Sequence, residues 1–150
     1  MKKTITVLLI MLLMLSVAGC HGDSSPSHRE PFPSKLVELE KYSAMTRDKT
    51  TSIEVVYDYI NGEETTYEFV IDNQGIIENI MTELFNMGLK EYPKDRDIDF
   101  YQRRITVKQG DGEYYIHLGY ASDGNGNQYL CQSQKVCEII EKYIDDNLVH

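Results

Sequence analysis

SIEVVYDYINGEETTYEFVI, residues 52–71, decides the architecture of this chain. Two runs rich in β-branched and aromatic residues flank an Asn-Gly pair, the pattern of a β-hairpin. Its register follows from which face must be buried. Ile53, Val55, Tyr57 and Tyr59 share one face of the first strand, and Tyr67, Phe69 and Ile71 share one face of the second. A two-residue loop at Asn61 and Gly62 would set each apolar row beside polar residues, so neither face would be uniformly oily. A three-residue loop of Ile60, Asn61 and Gly62, with Gly62 left-handed in a bulge, pairs odd positions with odd and joins the rows. The expectation is a hairpin with one apolar face that needs a cover.

Helices and further strands downstream supply it. Asp72 can cap a helix in which Ile76, Ile77, Ile80, Met81, Leu84 and Phe85 recur as pairs four apart and make one stripe. Gly88 should end it, with Leu84 and Leu89 placed for the contact of a Schellman cap. After Pro93 and the acids Asp95, Asp97 and Asp99 comes FYQRRITVKQGDGEYYIHLGY, residues 100–120, a second hairpin. Tyr101, Ile105 and Val107 oppose Tyr114, Ile116, Leu118 and Tyr120 in parity, which requires an even loop, and Gly110 and Asp111 supply two residues. Arg103 falls in the buried row, where its stem can lie along the core and its head escape, or a carboxylate can pair it.

NQYLC, residues 127–131, reads as a short last strand, and a helix capped by Ser133 turns Val136, Ile139, Ile140, Tyr143, Ile144 and Leu148 inward. Glu138, Glu141, Asp145 and Asp146 should face out. The order is ββαβββα: an α+β fold with an antiparallel sheet of about five strands and two helices packed on one face. Residues 35–50 give a mixed signal. Leu36, Leu39 and Tyr42 fit a helix behind a Ser34 cap, and the same stretch fits an extended strand.

The amino terminus carries a different kind of information. Lys2 and Lys3 precede the aliphatic run ITVLLIMLLML, the layout of a secretory signal peptide. The 14 residues from Ile5 to Ala18 would reach about 21 Å as a helix, short of the roughly 30 Å of a hydrocarbon core. Val17, Ala18, Gly19 and Cys20 then form an aliphatic residue, two small residues and a cysteine. In this the sequence resembles the bacterial lipoprotein precursors, and in overall plan the small surface lipoproteins of Gram-positive bacteria. The resemblance implies cleavage before Cys20, a diacylglyceryl thioether on its sulfur, and a place on the extracytoplasmic face of the cell membrane. One acyl chain binds membranes marginally, so a two-chain anchor is the smallest stable tether. The expected organisation is a signal peptide over 1–19, a lipidated cysteine and flexible stalk over 20–34 with three prolines and four serines, and one α+β domain over 35–150.

Without residues 1–19 the chain would hold 131 residues, with 13 basic and 24 acidic side chains and a formal net charge of −11. That balance argues against nucleic acid and other polyanions as partners and permits basic proteins and cations. Cys131 and Cys137, in CQSQKVC, are open to two readings at an oxidising address: a disulfide, or two buried thiols between strand and helix. Their spacing is not the redox CxxC.

Three chemistries can be weighed on the remaining residues. In SDGNGNQ, Asp123, Asn125 and Asn127 alternate like the first half of a calcium loop, but Gln128 stands where glycine is needed and Gln134 where a bidentate glutamate is needed. A plain turn is favoured, and no metal is expected. His117 should lie on the sheet face away from the helices beside Tyr115, with no nucleophile or orienting acid near it, so no catalytic residue and no cofactor are assigned. Eleven tyrosines and no tryptophan mostly fill the inward rows. Tyr115, His117, Gln102 and Arg104, with Val56 and Val70, remain on an uncovered sheet face. The expected function is a membrane-anchored, non-catalytic module for a protein partner. The alternative is an inhibitor or immunity protein whose acidic helix meets a basic toxin or cell-wall hydrolase.

Overall fold

The first hairpin forms with the parity its apolar rows require. In a computed structural model, which describes residues 32–61, 63–93, 102–110 and 112–148, β1 (Thr50–Asn61) pairs antiparallel with β2 (Glu63–Ile71). Ile53 faces Ile71, Val55 faces Phe69 and Tyr57 faces Tyr67. The reversal is centred one residue later than the three-residue loop allows: Asn61 faces Glu63, and Tyr59 faces Thr65. Carrying the ladder to Asn61 adds paired residues without changing which side chains share a face. The expected left-handed Gly62 lies outside the described residues, as do Cys20, the signal peptide and the stalk up to residue 31.

The second hairpin has the even loop. Gln109 of β4 (Arg103–Gln109) faces Gly112 of β5 (Gly112–His117), and Gly110 takes φ 56°, the left-handed region that glycine enters without penalty. β4 also pairs with β1, Ile105 beside Val55 and Val107 beside Ile53, so the four-stranded order is β2-β1-β4-β5. The central strands β1 and β4 place Ile53, Val55, Ile105 and Val107 wholly inside, and β5 adds Ile116. Each such side chain contributes about 1.5–3 kcal/mol relative to exposure.

Two helices cover that face. α1 (Gln74–Asn86) buries Ile77, Ile80, Met81 and Leu84, while Ile76 and Phe85 are half-buried at the edges of the stripe. Its cap is Asn73 rather than Asp72, with Oδ1 accepting from the Ile76 amide at 3.2 Å. Its end is not a Schellman cap. Met87 turns extended, and Gly88 is not left-handed. Gly88 instead allows close approach: its carbonyl accepts from the Gln132 amide at 2.9 Å, and a Cβ there would meet the Gln132 side chain.

α2 (Gln134–Asn147) buries Val136, Ile140 and Ile144 and stacks Tyr143 on Phe69 of β2, ring centroids 5.1 Å apart. Leu148, read as inward, is the C-cap residue and is 39% exposed. Ser133 occupies the cap position without capping, because its hydroxyl donates to the Leu118 carbonyl.

The single sheet of about five strands is corrected to two. A three-stranded sheet of order β3-β7-β6 joins β3 (Leu89–Glu91), β6 (Tyr120–Ser122) and β7 (Gln128–Cys131). The continuous strand expected from Gly112 to Tyr120 breaks because residues 118 and 119 are claimed from two sides. The Leu118 amide donates to Arg103 at 2.7 Å, closing the first sheet, while the Gly119 carbonyl accepts from the Cys131 amide at 3.1 Å. β3 escaped the sequence reading because Leu-Lys-Glu is too short to show a period; Leu89 facing Cys131 defines it.

Residues 35–49, up to the start of β1, form neither an α-helix nor a strand but begin with two 3₁₀ turns, Leu36–Glu38 and Glu40–Tyr42. Leu36, Leu39, Tyr42 and Met45 are all buried, three apart, which is the period of a 3₁₀ helix. Ser34 does not cap them. Its amide and hydroxyl donate to the Glu38 carboxylate, the amide at 2.7 Å, and these bonds with that of the Lys35 amide hold the Glu38 pKa below its ordinary value. From Pro33 onward the chain is one compact unit.

Candidate binding surface

Alternation along four paired strands leaves every second side chain on the face away from the helices. Cross-strand register arranges that outer face in rungs: Val70, Glu54, Thr106 and Tyr115 on one, Glu68, Val56, Arg104 and His117 on the next. Val70 is 54% and Tyr115 55% exposed, large apolar surfaces on strands at opposite edges of the sheet. Between them Lys108 pairs with Glu113 and with Glu54, the latter at 3.2 Å, and these carboxylates push its pKa up.

Arg104, His117 and Tyr115, three of the four residues selected from sequence, come together. The Arg104 guanidinium lies 5.8 Å from the Tyr115 ring centroid and faces His117 across the strand pair. His117 is half-buried rather than exposed, because its ring lies against Tyr120 at 4.2 Å and its Nδ1 accepts from the Gly119 amide at 3.2 Å. Burial, then the neighbouring Arg104 charge, push its pKa down, so the ring is neutral at pH 7. With Nδ1 engaged in a backbone turn, His117 anchors the exit from the first sheet.

Gln102 sits one rung away and is held by its backbone. Its amide donates to Asp58 Oδ2 at 2.6 Å and its carbonyl accepts from the Asp58 amide at 2.8 Å. Thr66 donates to Asp58 Oδ1 at 2.7 Å. Asp58 is therefore a buried carboxylate on the outer face, fully used in closing the end of the sheet. Sequence reasoning missed it, although an acid in mid-strand opposite a threonine is the signal that would have found it.

Half of the acidic row of α2 is engaged by the sheet. Tyr57 donates to Glu141 at 2.6 Å and Tyr59 to Asp145 at 3.0 Å; Glu141 is half-buried, while Asp145 stays exposed as expected. Burial and the Glu141 bond raise the Tyr57 pKa, and the Arg103 guanidinium lies 5.0 Å over the same ring. Arg103 thus keeps its head within the inner layer, against an aromatic face.

Cys131 and Cys137 are free thiols here, not a bridge. Cys131 is buried on β7, and that burial pushes its pKa up to about 12, with Lys41 pulling the other way. Cys137 is half-buried on α2, its Sγ 3.8 Å from Ser133 Oγ. Asp123, Asn125 and Asn127 form a turn rather than a calcium loop. The Asp123 carboxylate accepts from the Asn125 and Asn127 amides, both at 2.9 Å, from Asn127 Nδ2 at 2.7 Å and from Tyr129 at 2.9 Å. Four donors aimed at one carboxylate lower its pKa to about 2 and turn positive ends where a cation would need oxygens. Among the described residues no group of three or more His, Cys, Asp or Glu side chains is placed to hold a metal, and no helix is long and apolar enough to cross a membrane. No family model, no curated protein and no solved structure matches this chain.

Proposed function

We propose that this chain is a lipid-anchored extracytoplasmic lipoprotein whose folded domain binds a protein partner and performs no catalysis. The address rests on Val17, Ala18, Gly19 and Cys20 behind a basic, aliphatic leader. The binding role rests on one observation: the outer side of the four-stranded sheet carries Val70 and Tyr115 more than half exposed, beside the Lys108 ion pairs with Glu54 and Glu113. Exposed apolar surface among polar and charged groups is the make-up of a contact surface. The acidic-helix inhibitor has less support, since Glu141 and Asp145 are engaged by Tyr57 and Tyr59.

Two measurements test the reading. Cys20→Ser should leave the leader uncleaved and remove the lipid mass; normal maturation and membrane retention of that variant overturn the anchor. Capture from the native envelope by the full chain should survive reversal of Glu138 and Asp146 to lysine and be lost when Val70 and Tyr115 are both changed to aspartate. The opposite pattern transfers the contact to α2 and overturns the sheet assignment.

A further inference from the structure

The two edges of the four-stranded sheet differ, and the difference, taken with the binding role on which this inference rests, selects one of them. At β5 the Tyr42 hydroxyl reaches across to donate to the Tyr115 carbonyl at 2.9 Å, and the chain turns after His117 into the second sheet. At the other edge β2 runs nine residues, and among the described residues no backbone group bonds to it except from β1. In an antiparallel edge strand every second residue turns both its N–H and its C=O away from its neighbour, so about four residues of β2 offer donors and acceptors in a row. Glu64 and Glu68 stand exposed on the outer side of this strand and hold no ion pair among the described residues. Tyr67 and Phe69 are half-buried on the inner side, Phe69 stacked on Tyr143.

We propose that β2 accepts, as an added strand, an extended segment of a protein partner in which lysine or arginine alternates with apolar residues. The cationic side chains would stand across from Glu64 and Glu68, and the apolar ones would extend the Tyr67 and Phe69 row under the sheet. A second copy of this chain fits less well: β2 against β2 brings both carboxylates of each copy onto one face, in a chain of net charge −9.

The probe is a nine-residue peptide alternating lysine and valine, added to the full chain in zwitterionic detergent, with amide hydrogen exchange as the readout. It should protect alternate amides of β2, and the same peptide with methylated backbone nitrogens should not. Glu64→Lys with Glu68→Lys should weaken it by about tenfold at low salt and admit a glutamate–valine peptide in its place. Unchanged exchange of the β4 and β5 amides verifies that the variant is folded; the milder Glu64→Gln with Glu68→Gln replaces it where they change. Failure to bind, binding that leaves β2 exchange unchanged, indifference to the charge variants, or concentration-dependent self-protection of β2 each overturn the inference. Envelope capture by wild type and by the lysine variant alike overturns the edge assignment and leaves the binding module standing. No capture by either overturns the proposed function and this inference together.

Discussion

At one edge of the four-stranded sheet, the segment that begins with the two 3₁₀ turns reaches β5, where the Tyr42 hydroxyl satisfies the Tyr115 carbonyl. At the other, β2 keeps nine residues to which, among the described residues, no backbone group bonds except from β1, with glutamates at 64 and 68. Both are answers to the hazard of an open edge, which templates further strands. The first uses cover and the second uses charge. Cover removes the edge from chemistry altogether, whereas charge leaves it accessible to a strand of opposite sign, so stability should depend on the closed side and binding on the open one.

The strongest way to break that contrast is Leu36→Ala. Leu36 is wholly buried in the first 3₁₀ turn of the covering segment, and its amide donates to the Met87 carbonyl at 3.0 Å. The substitution should cost about 3 kcal/mol in urea unfolding and speed exchange of the β5 amides. A loss no larger than that of a surface change would mean the cover is ornamental. Tyr57→Phe should come next, at about 1.5 kcal/mol, because it strips the half-buried Glu141 carboxylate of its 2.6 Å donor. Tyr59→Phe, whose partner Asp145 is exposed, serves as its control and should cost less.

Tyr42→Phe tests the closed edge by one hydrogen bond and should cost about 1 kcal/mol, with the change in exchange confined to the neighbourhood of Tyr115. Val70→Ala on the open edge should stay within about 0.5 kcal/mol. Equal costs for the two would erase the distinction between the edges. The smallest effect belongs to the β6–β7 turn behind the closed side. The folded Asp123 carboxyl titrates near 2 and its unfolded counterpart near 3.8, so the unfolded chain takes up the proton first. Its stabilisation is complete above the unfolded value, declines as pH falls from there through about 2, and is absent in Asp123→Asn, whose acid unfolding profile should be flatter over that window.

Much of the inner layer was legible in sequence because period and parity are local. The rows through Ile53 and Ile71, the two-residue turn at Gly110, and the stripe from Ile77 to Leu84 need only alternation, turn chemistry and helical spacing. The 3₁₀ turns carried their signal too, in the strict three-residue spacing of Leu36, Leu39, Tyr42 and Met45, of which each single step of three also occurs in an α-helix. The candidate surface was half legible. Alternation put Tyr115 and Arg104 outward, but the contact of His117 with Tyr120 and the clasp of Gln102 by Asp58 depend on a strand that breaks and on a backbone bond between residues 44 apart.

By itself, then, the sequence determined which residues share a face, how the second hairpin turns, and the α+β class that those faces impose. Only the tertiary structure decided that the strands part into two sheets, that Glu141 and Asp145 turn toward tyrosines, and which edge is covered. These outcomes hang on partners remote in the chain, such as Tyr42 and the Tyr115 carbonyl 73 residues on. A side chain's own neighbours fix its direction from the backbone; what waits there to receive it is set by how distant segments pack.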